Sequence, residues 1–218
     1  MIEITQRHQN IIGSKAAISA LETKDHARLL IISDSHENYP VFEKIVRRYG
    51  AKCDAVVFCG DGICDISRLL YAAQTDSKLM ECVPPVIAAV KGNCDPSSYP
   101  LDSASLYFSE LVELKVNGQI IMISHGHNQS VDFGLETFGL EMQVSESRIG
   151  FYGHTHIARE DNINGYKMVN PGSCARPRGG QPASFAIATV EKTFTDIAFI
   201  RMKIESDGST SFNLWNPI

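Results

Sequence analysis

Several sequence features are absent from this chain of 218 residues, and each absence excludes a class of protein. No run approaches the roughly 18 apolar residues that a membrane-spanning helix needs, so we expect no membrane association. The first residues show no basic stretch followed by an apolar one, so no secretory signal is expected. A basic excess is also missing, because 25 acidic residues outnumber 20 basic ones. The resulting net charge of −5 argues against extended nucleic acid as a partner.

Cysteine spacing excludes a further kind of site. The chain has six cysteines, and no two of them form the C-x2-C pair that is typical of a structural zinc knuckle. A chain that is long enough to bury its own core does not depend on disulfides. We therefore expect reduced thiols, most of them in the core, and a cytoplasmic protein.

Hydrophobic patterning divides the chain into an N-terminal extension, residues 1–27, and a single domain, residues 28–218. Short apolar runs of the kind found in buried strands begin at the start of the domain and alternate with helical patterns. This alternation predicts a parallel or mixed sheet that is covered by helices. The periodicity predicts helices over residues 39–49, over 65–73 with Asp65 as N-cap, and over 131–142.

The end of the domain has a different pattern. Short turns join four segments that are typical of strands, and such short connections favour antiparallel pairing. These segments are residues 166–170, 184–190, 195–204 and 210–215.

Five of the apolar runs in the domain end in side chains that bind metal ions. In chain order these side chains are Asp34 and His36, Asp61, Asn93, His125, and His154 with His156. Because ligand sites in open α/β sheets lie beyond the carboxyl ends of the strands, we expect the seven groups to converge. Carboxylate, amide and imidazole ligands without thiolate favour Mn²⁺, Fe²⁺, Zn²⁺, Co²⁺ or Ni²⁺. Seven groups exceed one tetrahedral site and suit two ions about 3.5–4 Å apart, an arrangement used in phosphoester hydrolysis.

These motifs carry a family resemblance. The segments Asp34-Ser35-His36, Gly60-Asp61-Gly62, Gly92-Asn93-Cys94-Asp95, His125-Gly126-His127 and Gly153-His154-Thr155-His156 resemble, in order, the motif set of the calcineurin-like metallophosphoesterases. Asn170-Pro171-Gly172-Ser173 and Arg178-Gly179-Gly180 resemble the following region of the small YfcE/MJ0936-type phosphodiesterases. The resemblance covers residues 28–204 and implies an α/β fold: a four-layer αββα sandwich with two mixed sheets flanked by helices.

The resemblance also implies a role for each side chain. Asp34, His36, Asp61 and His156 would hold a first divalent ion, while Asn93, His125 and His154 would complete a second ion that Asp61 bridges. We expect Mn²⁺, with Ni²⁺, Co²⁺, Fe²⁺, Zn²⁺ and Mg²⁺ as alternatives. The implied reaction is phosphodiester hydrolysis of a small phosphate ester, by in-line attack of a hydroxide held between the two ions.

Other positions in the motifs keep more than one interpretation. His127 could contact substrate, orient His125 or serve only the structure. Asp95 could orient a ligand or build the turn at Asn93. Larger relatives have a histidine where this chain has Cys94, and a thiol with a pKa of about 8.5 is a poor general acid. Cys94 thus favours substrates with good leaving groups, or another proton donor.

Arg176 and Arg178 follow the last histidine motif and could contact a phosphate oxygen, or they could belong to a solvated loop. The main alternative to an enzyme is a non-catalytic scaffold, since fold does not fix function and this fold also serves in protein assembly. A degenerate scaffold would be expected to lose ligands, whereas this chain keeps all seven. The sequence leaves open whether copies associate as a homo-oligomer.

Overall fold

A computed structural model describes residues 6–7 and 10–217 of the chain. Among these residues no helix is both long and apolar enough to cross a membrane. The helices are α1 (Lys15–Thr23), α2 (Tyr39–Tyr49), α3 (Ile63–Thr75), α4 (Ser77–Met80) and α5 (Glu136–Val144). The strands are β1 (Gln6–Arg7), β2 (Ile11–Gly13), β3 (Ala27–Ile32), β4 (Ala55–Phe58), β5 (Val86–Ala89), β6 (Ser98–Leu101), β7 (Ala104–Tyr107), β8 (Leu111–Val116), β9 (Gln119–Ser124), β10 (Ile149–Phe151), β11 (Arg159–Ile163), β12 (Tyr166–Asn170), β13 (Ala183–Val190), β14 (Thr195–Ile204) and β15 (Thr210–Trp215).

Two mixed sheets form the centre of the described structure. The first has the strand order β1-β2-β5-β4-β3-β13-β14-β15, and the second has the order β11-β12-β10-β9-β8. Parallel pairs occur within β3-β4-β5 and within β9-β10-β12, while the outer strands of both sheets pair antiparallel. A short hairpin of β6 and β7 stands apart from both sheets.

Packing arranges these sheets and helices in four layers. Between the sheets, side chains such as Leu29 and Val57 of the first pack in one buried cluster with Ile121 and Phe151 of the second. Helices α2 and α3 cover the other face of the first sheet, and α5 covers the other face of the second. Each fully buried side chain of this size contributes about 1.5–3 kcal/mol to folding. The order helix, sheet, sheet, helix confirms the predicted αββα sandwich.

The register of the parallel strands brings their carboxyl ends to one edge. Ile32 pairs with Phe58, and Phe58 with Ala89, in the first sheet. In the second sheet Ile123 pairs with Phe151. Because each of these residues stands near the end of its strand, the loops that follow all leave the sheets at the same side of the molecule.

Two helix predictions need correction. Helix α3 begins at Ile63, so Asp65 is not its N-cap but a buried residue of the first turn, where it accepts a hydrogen bond of 2.6 Å from Ser35 Oγ. Helix α5 begins only at Glu136. The φ angle of Gly134 is 158°, far from the helical value of about −63°, so the predicted start at residue 131 was wrong.

Part of the predicted N-terminal extension lies within the first sheet. Strand β2 pairs antiparallel with β5 and lies next to the edge strand β1. The buried Asn10 side chain donates hydrogen bonds to the carbonyl oxygens of Ala89 (2.7 Å) and Ser109 (3.0 Å) and accepts one from the Ser109 hydroxyl (2.6 Å). These contacts bind the segment to the sheet, and a domain boundary at residue 27 remains a prediction.

Candidate metal centre

The loops after β3, β4, β5, β9 and β10 bring the seven predicted ligands to one edge of the sheets. Their backbone is unusual, because five of the seven have a positive φ: Asp34 (54°), His36 (45°), Asp61 (55°), His154 (68°) and His156 (59°). A residue other than glycine in this conformation costs roughly 1–3 kcal/mol and persists only where its surroundings hold it. Such a concentration of strain is typical of a functional site.

A first group of ligand atoms surrounds Asp34. Atoms of Asp34, His36, Asp61 and His156 all lie within 4.8 Å of one another. The Nε2 atoms of the two histidines are 3.0 Å apart, and His156 Nε2 is 3.2 Å from Asp34 Oδ1. Asp61 Oδ2 is 3.9 Å from His36 Nε2. Two imidazoles and two carboxylates therefore face a common point.

A second group surrounds Asn93. Its Oδ1 atom is 3.1 Å from His125 Nε2 and 3.0 Å from His154 Nδ1. Asp61 Oδ1 lies 3.5 Å from the same His125 nitrogen. The carboxylate of Asp61 thus directs one oxygen to each group, which is the arrangement that a bridging ligand requires.

In three histidines of these groups, the ring nitrogen that points away from the site contacts an oxygen atom. Nδ1 of His125 is 2.7 Å from the carbonyl oxygen of Cys59, and Nδ1 of His156 is 2.6 Å from that of Arg176. Nε2 of His154 is 2.7 Å from Asp132 Oδ2. When a remote nitrogen donates its proton to such an oxygen, the lone pair of the other nitrogen faces the centre, as metal-binding histidines require.

A further observation indicates that these side chains suit a divalent cation. Oδ1 of Asp34 is buried, and its contact of 3.2 Å with His156 Nε2 lacks the geometry of a hydrogen bond, so it makes none among the described residues; the other oxygen accepts one of 2.5 Å from Ser33 Oγ. A buried acceptor without a partner costs about 1–3 kcal/mol. A cation held between Asp34 and His156 would satisfy this oxygen.

Charge in the site shifts the pKa of several groups. Burial disfavours the ionised Asp61 carboxylate, but His125 and the backbone N–H of Cys94 outweigh it and hold the pKa of Asp61 well below its usual range. Burial also disfavours protonated His125 and His156, yet Asp61 and Asp34 raise the pKa of these imidazoles above the ordinary value. For His36 burial dominates and lowers the pKa.

Close contact between the loops after β4 and β5 leaves no room for a side chain at Gly92. A Cβ atom on Gly92 would stand 2.1 Å from Asp61 Oδ1 and 2.6 Å from the Asp61 backbone nitrogen. The glycine of the third motif is therefore required for the loop after β5 to approach Asp61.

The remaining predicted residues lie at the rim of the site. Cys94 is exposed for the most part, and the partial burial of its thiol together with the nearby Asp61 carboxylate raises its pKa to about 11. The His127 ring centre is 5.4 Å from that of His125 and 6.1 Å from that of His154. Nδ1 of His127 is buried without a hydrogen bond among the described residues, and burial lowers the pKa of this imidazole.

Arg176 and Arg178 are exposed, and their backbone holds the last histidine of the first group. The carbonyl oxygen of Arg176 faces His156 Nδ1, and the N–H of Arg178 donates to the His156 carbonyl oxygen at 3.1 Å. Their guanidinium charges oppose protonation of the nearby imidazoles. Arg176 adds to the burial that lowers the pKa of His36, and Arg178 partly offsets the effect of Asp34, which raises the pKa of His156. Both side chains thus add positive charge beside the first group.

Sequence reasoning missed Asp132, which contacts His154. It lies in a stretch predicted to be helical, and nothing in its spacing from the histidine motifs marks it. Only the loop that precedes α5 brings it to the site.

Fold and side chains together define an αββα sandwich protein with a candidate metal centre at the edge of its sheets. Residues 28–193 match the family model of the calcineurin-like phosphoesterase superfamily domain, and the chain belongs to this superfamily. The resemblance noted in the sequence is thereby confirmed.

Curated relatives and solved structures agree with this assignment. The chain is 29% identical to the probable metallophosphoesterase YsnB of Bacillus subtilis over 171 residues, which are 78% of this chain and 89% of YsnB. It is 26% identical to the phosphodiesterase YfcE of Escherichia coli K12 over 168 residues, covering 73% of this chain and 86% of YfcE. Vacuolar protein sorting 29 of Cryptosporidium parvum shares the fold, with a TM-score of 0.64, 18% identity, and coverage of 88% and 98% of the two chains.

Proposed function

We propose that this protein is a dinuclear metal-dependent phosphodiesterase that hydrolyses small phosphate esters. The observation that carries the proposal is the position of Asp61, whose two carboxylate oxygens face two separate groups of ligand atoms. The superfamily and the relatives named as a metallophosphoesterase and a phosphodiesterase support a phosphoester hydrolase. All six cysteines are free, which fits the reducing cytoplasm that the sequence predicts.

The residues that would hold the ions divide between the two groups. Asp34, His36 and His156 would bind the first ion, Asn93, His125 and His154 the second, and Asp61 both. When bound, a pair of divalent ions activates water and neutralises charge on the phosphoryl oxygens. We expect manganese, which is one of the ions that these mixed oxygen and nitrogen ligands suit.

Other residues of the chain would bind the ester. The exposed guanidinium groups of Arg176 and Arg178 can donate paired hydrogen bonds to phosphate oxygens on the side of the first group. His127, beside His125 and His154, borders the second group. In the metal-free protein the Cys94 thiol is protonated at neutral pH, because its pKa is about 11. Such a thiol is a weak proton donor, which favours esters with good leaving groups.

The test is hydrolysis of an aryl phosphodiester with added Mn²⁺. We expect turnover by the wild-type protein, its loss on chelation, and its recovery when Mn²⁺ is restored. Asp61→Asn should lower turnover by at least about 100-fold, because a neutral amide cannot bridge two ions. Asp54→Asn is the matched control, since Asp54 accepts the Arg28 N–H (2.8 Å) before strand β4, at the opposite end from Asp61.

A scaffold role is the second candidate, because vacuolar protein sorting 29 has the same fold. The two candidates differ in one measurement. Absence of turnover with Mn²⁺, Ni²⁺, Co²⁺, Fe²⁺, Zn²⁺ and Mg²⁺ across aryl diesters, cyclic nucleotides and glycerophosphodiesters would favour the scaffold. Unchanged turnover in Asp61→Asn would instead remove the bridging role of Asp61.

A further inference from the structure

We infer that Asp95 is a positioning residue that fixes the distance between the two groups of metal ligands. This inference rests on the proposed dinuclear function. Asp95 is half-buried in the turn that follows β5, two residues after Asn93. Its carboxylate points across the turn to the loop after β4, which carries Asp61.

Both oxygens of Asp95 are occupied by backbone N–H groups from the two loops. Oδ2 accepts from Asp61 N at 2.7 Å and from Gly92 N at 2.9 Å. Oδ1 accepts from Gly62 N at 2.9 Å and from Ile63 N at 3.0 Å. Hydrogen bonds to an ionised acceptor are roughly twice as strong as neutral ones. Because four such bonds occupy the carboxylate, Asp95 serves the backbone and is not itself a metal ligand.

The contact between the loops is reciprocal. While the Asp95 carboxylate binds the backbone of Asp61, the backbone N–H of Cys94 donates to Asp61 Oδ1 at 2.9 Å. The Asp61 main chain and side chain are thus both held by the turn that contains Asn93. Asp61 faces both ligand groups, and Asn93 belongs to the second. A change at Asp95 therefore displaces ligands of both groups.

Helix capping is the rival explanation, because Gly62 and Ile63 stand at the N-terminus of α3. An Asp95 that only capped this helix would contribute to stability and leave the ligands in place. The bonds to Asp61 and Gly92 point beyond capping, since they join the loop of the bridging carboxylate to the loop of Asn93. Metal binding measured in folded protein therefore separates the two explanations.

The experiment compares Asp95→Asn with Asp54→Asn in the full chain. Asparagine keeps the size of the side chain but replaces one acceptor oxygen by an amide group that cannot accept. We expect Asp95→Asn to bind Mn²⁺ at least about tenfold more weakly by calorimetry, at a temperature where circular dichroism shows both variants folded. Its electron paramagnetic resonance spectrum should also lose the signal of a coupled Mn²⁺ pair, which requires ions about 3.5–4 Å apart. Asp54→Asn should keep both properties.

Two other results would each overturn a specific part of the proposal. Wild-type affinity together with a coupled spectrum in Asp95→Asn would reduce Asp95 to a helix cap and overturn the inference alone. A wild-type protein that binds no Mn²⁺ pair would overturn the dinuclear function, and the inference with it. If Asp95→Asn does not fold, Asp95→Glu, which keeps both carboxylate oxygens on a side chain longer by one methylene, is measured with the same expectations.

Discussion

Asp132 holds the His154 ring through a contact of 2.7 Å between its Oδ2 atom and the Nε2 atom of the imidazole. The side chain of Asp132 is exposed, whereas the other ring nitrogen of His154 faces Asn93 within the site. A carboxylate in this position fixes both the ring orientation and the proton on Nε2. The loop before α5 therefore acts on the second ligand group.

Replacement of Asp132 should weaken metal binding. We expect Asp132→Ala to lower Mn²⁺ affinity by about 10- to 100-fold, the usual effect of losing the partner of a ligand histidine. Asp132→Asn should lose less, because its amide oxygen still accepts from Nε2. Calorimetric titration measures both. Asp207→Ala is the control, since Asp207 accepts from the Ser209 N–H in a turn outside the site; equal affinity in Asp132→Ala and wild type would contradict the prediction.

The raised pKa of Cys94 predicts a pH dependence. Partial burial of the thiol and the nearby Asp61 carboxylate both disfavour the thiolate, so metal-free protein should react slowly with iodoacetamide at neutral pH, at a rate that rises toward pH about 11. Added Mn²⁺ should speed the reaction at a given pH, because a nearby cation stabilises the thiolate. Mass spectrometry follows the labelling, and Cys94→Ser identifies the site. A rate insensitive to Mn²⁺ would place the ions away from Cys94.

Cys94→His should widen the range of leaving groups. An imidazole with a pKa near about 6.5 donates a proton at neutral pH far better than this thiol, and general acids contribute about 10²- to 10⁴-fold where they act. We expect kcat/KM for an alkyl diester to rise relative to an aryl diester. The aryl rate serves as the internal control. An unchanged ratio would assign leaving-group protonation to another donor.

Local sequence patterns predicted the strands that form the site, because β3, β4, β5, β9 and β10 are short apolar runs followed by turns. The side chains that we propose as metal ligands directly follow these runs, so the same pattern predicts them. Asp132 and the four bonds of Asp95 were not, since they depend on how separate loops approach one another. Strand β8 was also missed, although its alternation of apolar and polar residues is the pattern of a strand with one buried face. The candidate ligands can therefore be predicted from the sequence, whereas the contacts between separate loops are seen only in the structure.

The arginines after the last histidine motif allow substrate binding to be separated from metal binding. Their backbone, not their side chains, contacts His156. Arg176→Ala and Arg178→Ala should therefore keep Mn²⁺ affinity while each raises KM for a diester by about 10-fold or more, the value of a lost hydrogen bond to a charged group. Steady-state kinetics and calorimetry measure the two quantities. Arg201→Ala on β14 controls for loss of surface charge. If KM stays constant in both variants, the arginines belong to a solvated loop; if Mn²⁺ affinity falls, their side chains support the ligands.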